Sequence, residues 1–172
     1  MAGESRSPRL PVAEATTGRR IGPILITRNL QIDDWPAFWP LLRAMGTDDD
    51  EGTAEARYGR LLGDPAWGIL GALDGGRLVG YAAVQDYGTH LRIGDLHRMA
   101  RLHDLYVDPV ARGQGVGRAL MSAVEGWASG RVRYVVWQAR RGTSAGFYER
   151  LGYRGEAVPQ PDYLTFTLEG RR

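Results

Sequence analysis

Two residue types are missing from this chain of 172 residues. There is no cysteine, which excludes disulfides, a thiol nucleophile, thiolate zinc sites and iron–sulfur clusters. There is no lysine either: all 22 basic residues are arginine, so a Walker lysine and a Schiff-base lysine are excluded. Histidine is scarce, at His90, His97 and His103, and no metal site is expected. No apolar run approaches the roughly 20 residues that cross a bilayer, and the N-terminal stretch has no apolar core of a secretory leader. A cytoplasmic location without membrane contact is the expectation. A strong charge of one sign is absent as well. The net charge of +2 comes from the ends, where Arg6, Arg9, Arg19, Arg20, Arg171 and Arg172 outnumber Glu4 and Glu14. The stretch between is slightly acidic, so no nucleic acid partner is expected.

What remains is ordinary globular material, 43% hydrophobic and 24% charged. Residues 1–20 lack periodicity and read as a flexible N-terminal tail, and residues 21–170 read as a single domain. The spacing predicts a strand from Ile24 to Arg28, then a helix capped by Asp33 or Asp34 with Pro36 in its first turn. Trp35, Phe38, Leu42 and Met45 form that helix's apolar stripe. After the acidic run Asp48 to Glu51, Thr53 can cap a second helix ending near Gly63. Trp67 to Leu73 and Leu78 to Tyr87 read as a hairpin about Asp74-Gly75-Gly76. A polar loop, 88–100, leads to a strand from Arg101 to Val107. A helix follows over 115–129 with Val116, Leu120, Val124 and Trp127 on one face. Arg133 to Ala139 reads as a strand, Thr143 or Ser144 opens a short helix to Leu151, and Tyr163 to Leu168 alternates as a last strand, with another near Tyr153. The fold class is α/β in the broad sense, a mixed sheet with helices on its faces.

The most informative segment runs from Asp108 to Arg118, between a strand and a helix. Gly113, Gly115 and Gly117 permit tight turns and close backbone approach. The helix start adds free N–H groups and a partial positive charge. Together these suit a phosphate or pyrophosphate, with Arg112 and Arg118 adding charge at the rim. A Walker loop fails for want of lysine, and a Rossmann fingerprint fails because Arg118 stands where its third glycine belongs.

Arg112-x-x-Gly115-x-Gly117 resembles the pyrophosphate-binding signature of the GNAT N-acetyltransferases, and Ser144 to Arg154, SAGFYERLGYR, resembles that family's closing helix. The resemblance implies a GNAT-like, mostly antiparallel sheet in which strands 4 and 5 splay to admit acetyl-CoA as cosubstrate. It implies that Leu105, Tyr106 and Val107 line the cofactor arm, with main-chain groups of Leu105 and Val107 bonding to it. The N–H groups of Gly113, Gln114, Gly115, Val116, Gly117 and Arg118 would hold the pyrophosphate, with Ser144 beside the pantetheine. It also brings a homodimer as an expected state. The family's asparagine ahead of the last helix is absent, since Arg140 to Thr143 stand there.

Direct acetyl transfer to a small-molecule primary amine is the implied activity. Transfer of a larger acyl group, a protein amine as acceptor, and a non-catalytic acyl-CoA-binding module remain as alternatives. Tyr148 matches the family tyrosine near the cofactor sulfur and can donate a proton to the leaving thiolate. His103 ranks first as base. On an ideal strand it shares a face with Arg101 and Leu105, and its ordinary pKa is about 6.5. Asp104 would face the other way unless a bulge intervenes, and ranks second. The acidic run suggests a cationic acceptor, with Trp35 and Trp39, and His90 and His97, as further candidates to line its pocket.

Overall fold

A computed structural model describes residues 25–156 of the chain. The predicted tail at 1–20 and the predicted strand at 163–168 lie outside them, as does Ile24. The elements are β1 (Leu25–Asn29), α1 (Trp35–Met45), α2 (Glu51–Leu62), β2 (Trp67–Asp74), β3 (Arg77–Asp86), β4 (Met99–Val107), α3 (Val116–Ala128), β5 (Tyr134–Val136) and α4 (Ala145–Arg150). They build a mixed α/β sheet in the order β1-β2-β3-β4-β5. The first four strands pair antiparallel and β5 joins β4 in parallel. No helix among the described residues is long and apolar enough to cross a membrane.

Two cores sandwich the sheet. On one face Leu70, Ala72, Val84, Ala100 and Leu102 pack against Val116, Leu120, Met121 and Val124 of α3. On the other, Ile69, Leu78, Tyr81 and Tyr106 meet Trp35, Phe38 and Leu41 of α1 and Ala54 and Tyr58 of α2. The stripe on α1 thus turns on Leu41, and Met45 is exposed. Asp50, not Thr53, caps α2: its carboxylate accepts from the Thr53 N–H at 3.0 Å and the Thr53 hydroxyl at 2.6 Å. The hairpin between β2 and β3 turns where expected, with Gly75 at φ 56° and Gly76 at φ 87°.

Two departures from regular pairing shape the rest. In β4 the register jumps: Ala83 faces Asp104 and Val84 faces Leu102, which leaves His103 as an extra residue, a β-bulge. And β5 keeps only three rungs with β4, ending at Arg101↔Val136. The predicted strand to Ala139 stops there because its neighbour has turned away. From Leu102 on, the β5-facing backbone edge of β4 has no strand partner among the described residues. Tyr153 lies in irregular chain.

Candidate active site at the parting of two strands

The bulge decides which side chains meet. Before it, Ala100 and Leu102 face α3; after it, Leu105 and Val107 do. An interval of three between Leu102 and Leu105 is impossible in a two-residue repeat without an insertion. Leu105 therefore does not share a face with Arg101 and His103, contrary to the expectation from an ideal strand. His103 turns to the α1–α2 face, where its ring stacks on Trp67 at 5.0 Å and its Nε2 lies 3.0 Å from Gln85 Oε1. Asp104 turns to that face as well: burial pushes Tyr81 up, and the charge of Asp104 adds to it. The inserted residue thus puts both base candidates on one side.

Their surroundings differ. Asp104 is half-buried, accepts no hydrogen bond among the described residues, and is held above the usual carboxylate range by burial. His103 is exposed, and burial of its ring together with the charge of Arg101 pushes it below the usual imidazole value. Beside Asp104, Tyr81 is fully buried and its hydroxyl has no partner among the described residues.

At the far end of β4, Asp108 accepts from the Val110 N–H at 3.2 Å and from Arg77 at 3.1 Å, and closes a single 3-10 turn over Pro109–Ala111. Gln114 donates to the Val110 carbonyl at 2.9 Å and Arg112 Nε to the Val107 carbonyl at 3.1 Å, so Arg112 braces the loop that it also borders. Gly113 and Gly115 take φ values of 76° and 87°, which favour glycine. A side chain at Gly113 would project into open space, and one at Gly115 would meet only Leu25 Cδ1 at 3.9 Å. The first helical bond of α3 runs from the Ala119 N–H to the Gly115 carbonyl. No backbone carbonyl among the described residues accepts from the N–H groups of 113–118, as a helix start dictates. Gly117 differs: it is helical, and a Cβ there would lie 2.8 Å from Phe147 Cζ. Its small size seats α4 on α3.

Tyr148 follows Phe147 and packs on the α3 core, 5.2 Å from Trp137. Burial pushes its hydroxyl up. Ser144 opens α4, and its Oγ accepts from the Arg140 N–H at 3.0 Å. Tyr148 stands on the element after β5 and Asp104 on β4, so the parting of those strands lies between the elements that carry them. Among the other expectations, Asp49 pairs with Arg57 and Asp50 caps α2, so half of the acidic run is spent within the fold. Trp35 is core, His97 stacks on Tyr134, and His90 accepts from the Arg92 N–H. Sequence reasoning missed Trp67, Gln85 and Tyr81, which have no local motif and reach the site only through strand register. Clefts of about 760 and 530 Å³ open near Trp127 and Arg131, at the other end of α3 from the glycine loop.

The comparisons with known proteins agree with this geometry. The sequence model of the acetyltransferase (GNAT) family matches residues 12–153. The N-alpha-acetyltransferase RimI of Mycobacterium tuberculosis is 29% identical over 106 residues, which are 61% of this chain and 63% of that protein. Among solved structures, a ribosomal-protein-alanine N-acetyltransferase from Brucella melitensis biovar Abortus matches with a TM-score of 0.62 and 26% identity, over 84% of this chain and 98% of that one. Glucosamine-6-phosphate N-acetyltransferase from Arabidopsis thaliana gives 0.67 at 18% identity, covering 82% and 99%. Aminoglycoside N-acetyltransferase AAC(6')-Iy in complex with CoA gives 0.72 at 16% identity, covering 88% and 98%. The chain belongs to the acetyltransferase (GNAT) family, a class of acyltransferase enzymes.

Proposed function

We propose that the protein transfers the acetyl group of acetyl-CoA directly to a primary amine of a small-molecule acceptor, in the cytoplasm. One observation carries this reading. A single strand, β4, leaves its neighbour at the bulge that bears His103 and Asp104, and ends in the open glycine loop at the start of α3. A gap for the pantetheine arm, a base candidate beside it and an anion cradle at its far end are thus aligned along one strand. The residues fit the cosubstrate: positive-φ glycines with open space above them and unpaired N–H groups suit a pyrophosphate.

In this reading the N–H groups of 113–118 hold the pyrophosphate, with Arg118 at the rim. The unpaired β4 edge at Leu105, Tyr106 and Val107 receives the arm, and Ser144 borders it from α4. The acceptor amine must lose a proton before attack. An alkyl ammonium with pKa about 10 is neutral about once in a thousand at pH 7, a deficit of about 4 kcal/mol. Asp104 answers it best, because burial has raised its proton affinity and it has no partner among the described residues. His103, engaged by Trp67 and Gln85, borders the same spot. A main-chain N–H at Leu105 faces the developing oxyanion. The Tyr148 hydroxyl gives its proton to the departing thiolate.

The test is calorimetry with acetyl-CoA followed by thiol release over a panel of amines. Binding with amine-dependent thiol release is expected. Gly115→Val should weaken acetyl-CoA binding at least tenfold, because valine is strained at φ 87° and would shift the backbone that shapes the cradle. A protein that binds no CoA, or a variant that binds it unchanged, would overturn the reading.

A further inference from the structure

Trp67, Gln85 and Arg101 stand in register across β2, β3 and β4, on the face that carries His103 and Asp104. The polar groups of this row are donors without acceptors. Gln85 turns its Oε1 toward His103 Nε2, which leaves its amide N–H groups free. Arg101 is exposed, holds no carboxylate among the described residues, and stands beside the site. Of the acidic run that would suit a polycationic acceptor, Asp49 is spent on Arg57 and Asp50 on the cap of α2. Asp104 shares the face of this row, close to His103, and is placed for the amine. His103 adds no negative charge, and burial together with Arg101 favours its neutral form.

We infer that the acceptor is a small molecule carrying an anionic group, a carboxylate or a phosphate, beside its primary amine, and that Arg101 with the Gln85 amide binds that anion while the Trp67–His103 stack supports the body of the molecule. The inference rests on the acetyl-transfer reading and deepens it. The anion site lies about two strand residues, or ~7 Å, from Asp104, within reach of a compact amino acid or amino-sugar phosphate. A guanidinium and an amide offer paired N–H donors to two oxygens, a geometry that carboxylates and phosphates share.

The experiment compares matched acceptors with acetyl-CoA as donor: glycine against glycinamide, and glucosamine-6-phosphate against glucosamine. Calorimetry with CoA comes first. The charged member of one pair should exceed its neutral partner at least tenfold in kcat/KM, and which pair responds tells carboxylate from phosphate. Arg101→Gln should bring that ratio toward one, Arg101→Lys should restore part of it, and Arg92→Gln, an exposed change in the loop before β4, should leave it as in the wild type. Intact CoA binding with a ratio near one in both pairs, or a ratio untouched by Arg101→Gln, overturns this inference alone. Equal use of an amidated peptide would assign the acceptor to protein amines and overturn it too. Failure to bind CoA would sink the acetyl-transfer reading and this inference with it.

Discussion

Asp86→Asn tests what holds the closed end of the strand gap. Asp86 ends β3 and is 5% exposed. Its carboxylate accepts from Arg98 Nη2 at 2.6 Å, from Arg98 Nε at 3.1 Å and from the Gly88 N–H at 2.8 Å. The Arg98 carbonyl in turn accepts from the Arg133 N–H at 2.8 Å. One ion pair thus joins the end of β3, the start of β4 and the entry to β5. Removing one partner of a buried pair costs about 3–5 kcal/mol. Here the Arg98 side chain is 30% exposed and Asp95 lies 3.6 Å from it, so the abandoned guanidinium falls back on Asp95 and water. The cost is then about 2–3 kcal/mol, or about 4–12 °C in melting temperature for a chain of this size. Urea unfolding followed by tryptophan fluorescence measures it, and a double-mutant cycle with Arg98→Met isolates the pair. The pH dependence has a fixed sign. Arg98 holds the Asp86 carboxyl below its ordinary value of 3.8, so the unfolded chain takes up protons first as pH falls. The contribution is complete above about pH 5 and is lost as pH drops through the ordinary value to the lower folded one, so wild type and variant should converge in acid. A loss under about 0.5 kcal/mol at pH 7, in the range of an exposed pair, would refute the reasoning.

Tyr81→Phe removes a buried hydroxyl that has no partner among the described residues, so it should stabilise the fold by about 1–3 kcal/mol in urea unfolding; destabilisation would show that the hydroxyl is bonded in solution. Asp104→Asn should lower turnover about 100-fold or more while leaving the fold as stable or more so at pH 7, because a carboxylate whose proton affinity burial has raised is costly when ionised. If His103→Gln, and not Asp104→Asn, abolishes the acidic limb of the pH–rate profile, the base assignment reverses. Gly117→Ala drives a Cβ to 2.8 Å from Phe147, an overpacking of about 1–3 kcal/mol against about 1 kcal/mol of helix propensity gained. Its turnover should fall more than its stability, because Tyr148 moves with Phe147; equal turnover would uncouple the two.

The parts of the site that were legible in the sequence are those whose physics is local. A left-handed turn demands glycine wherever it occurs, so Gly113 and Gly115, like Gly75 and Gly76, announced their conformations. The α3 stripe of Val116, Leu120 and Val124 needs only the helical period, and all three are buried. What was not legible depends on partners. The Asp48 to Glu51 run is four charges in the sequence, and only the fold shows that Asp49 meets Arg57 and Asp50 caps α2. Strand β5 reads longer than it is, because Trp137 has strand propensity but no neighbour to pair with among the described residues.

The bulge is the instructive case, because the sequence allowed for it only as a condition on where Asp104 would point, and packing decides it. Leu102 and Leu105, three apart and both against the α3 core, cannot alternate on a regular strand, so one residue between them had to be extra. That single insertion accounts for three properties together. A bulge bends its strand and increases the local twist. The last β4–β5 rung, at Arg101↔Val136, lies two residues before the insertion, so the strands part where β4 bends. The same shift turns Asp104 off the α3 face and into apolar company with Tyr81, which raises its proton affinity, and restores Leu105 and Val107 to the core. The opening that would admit a thioester and the carboxylate that would take the amine's proton are therefore consequences of one extra residue, not separate features of the fold.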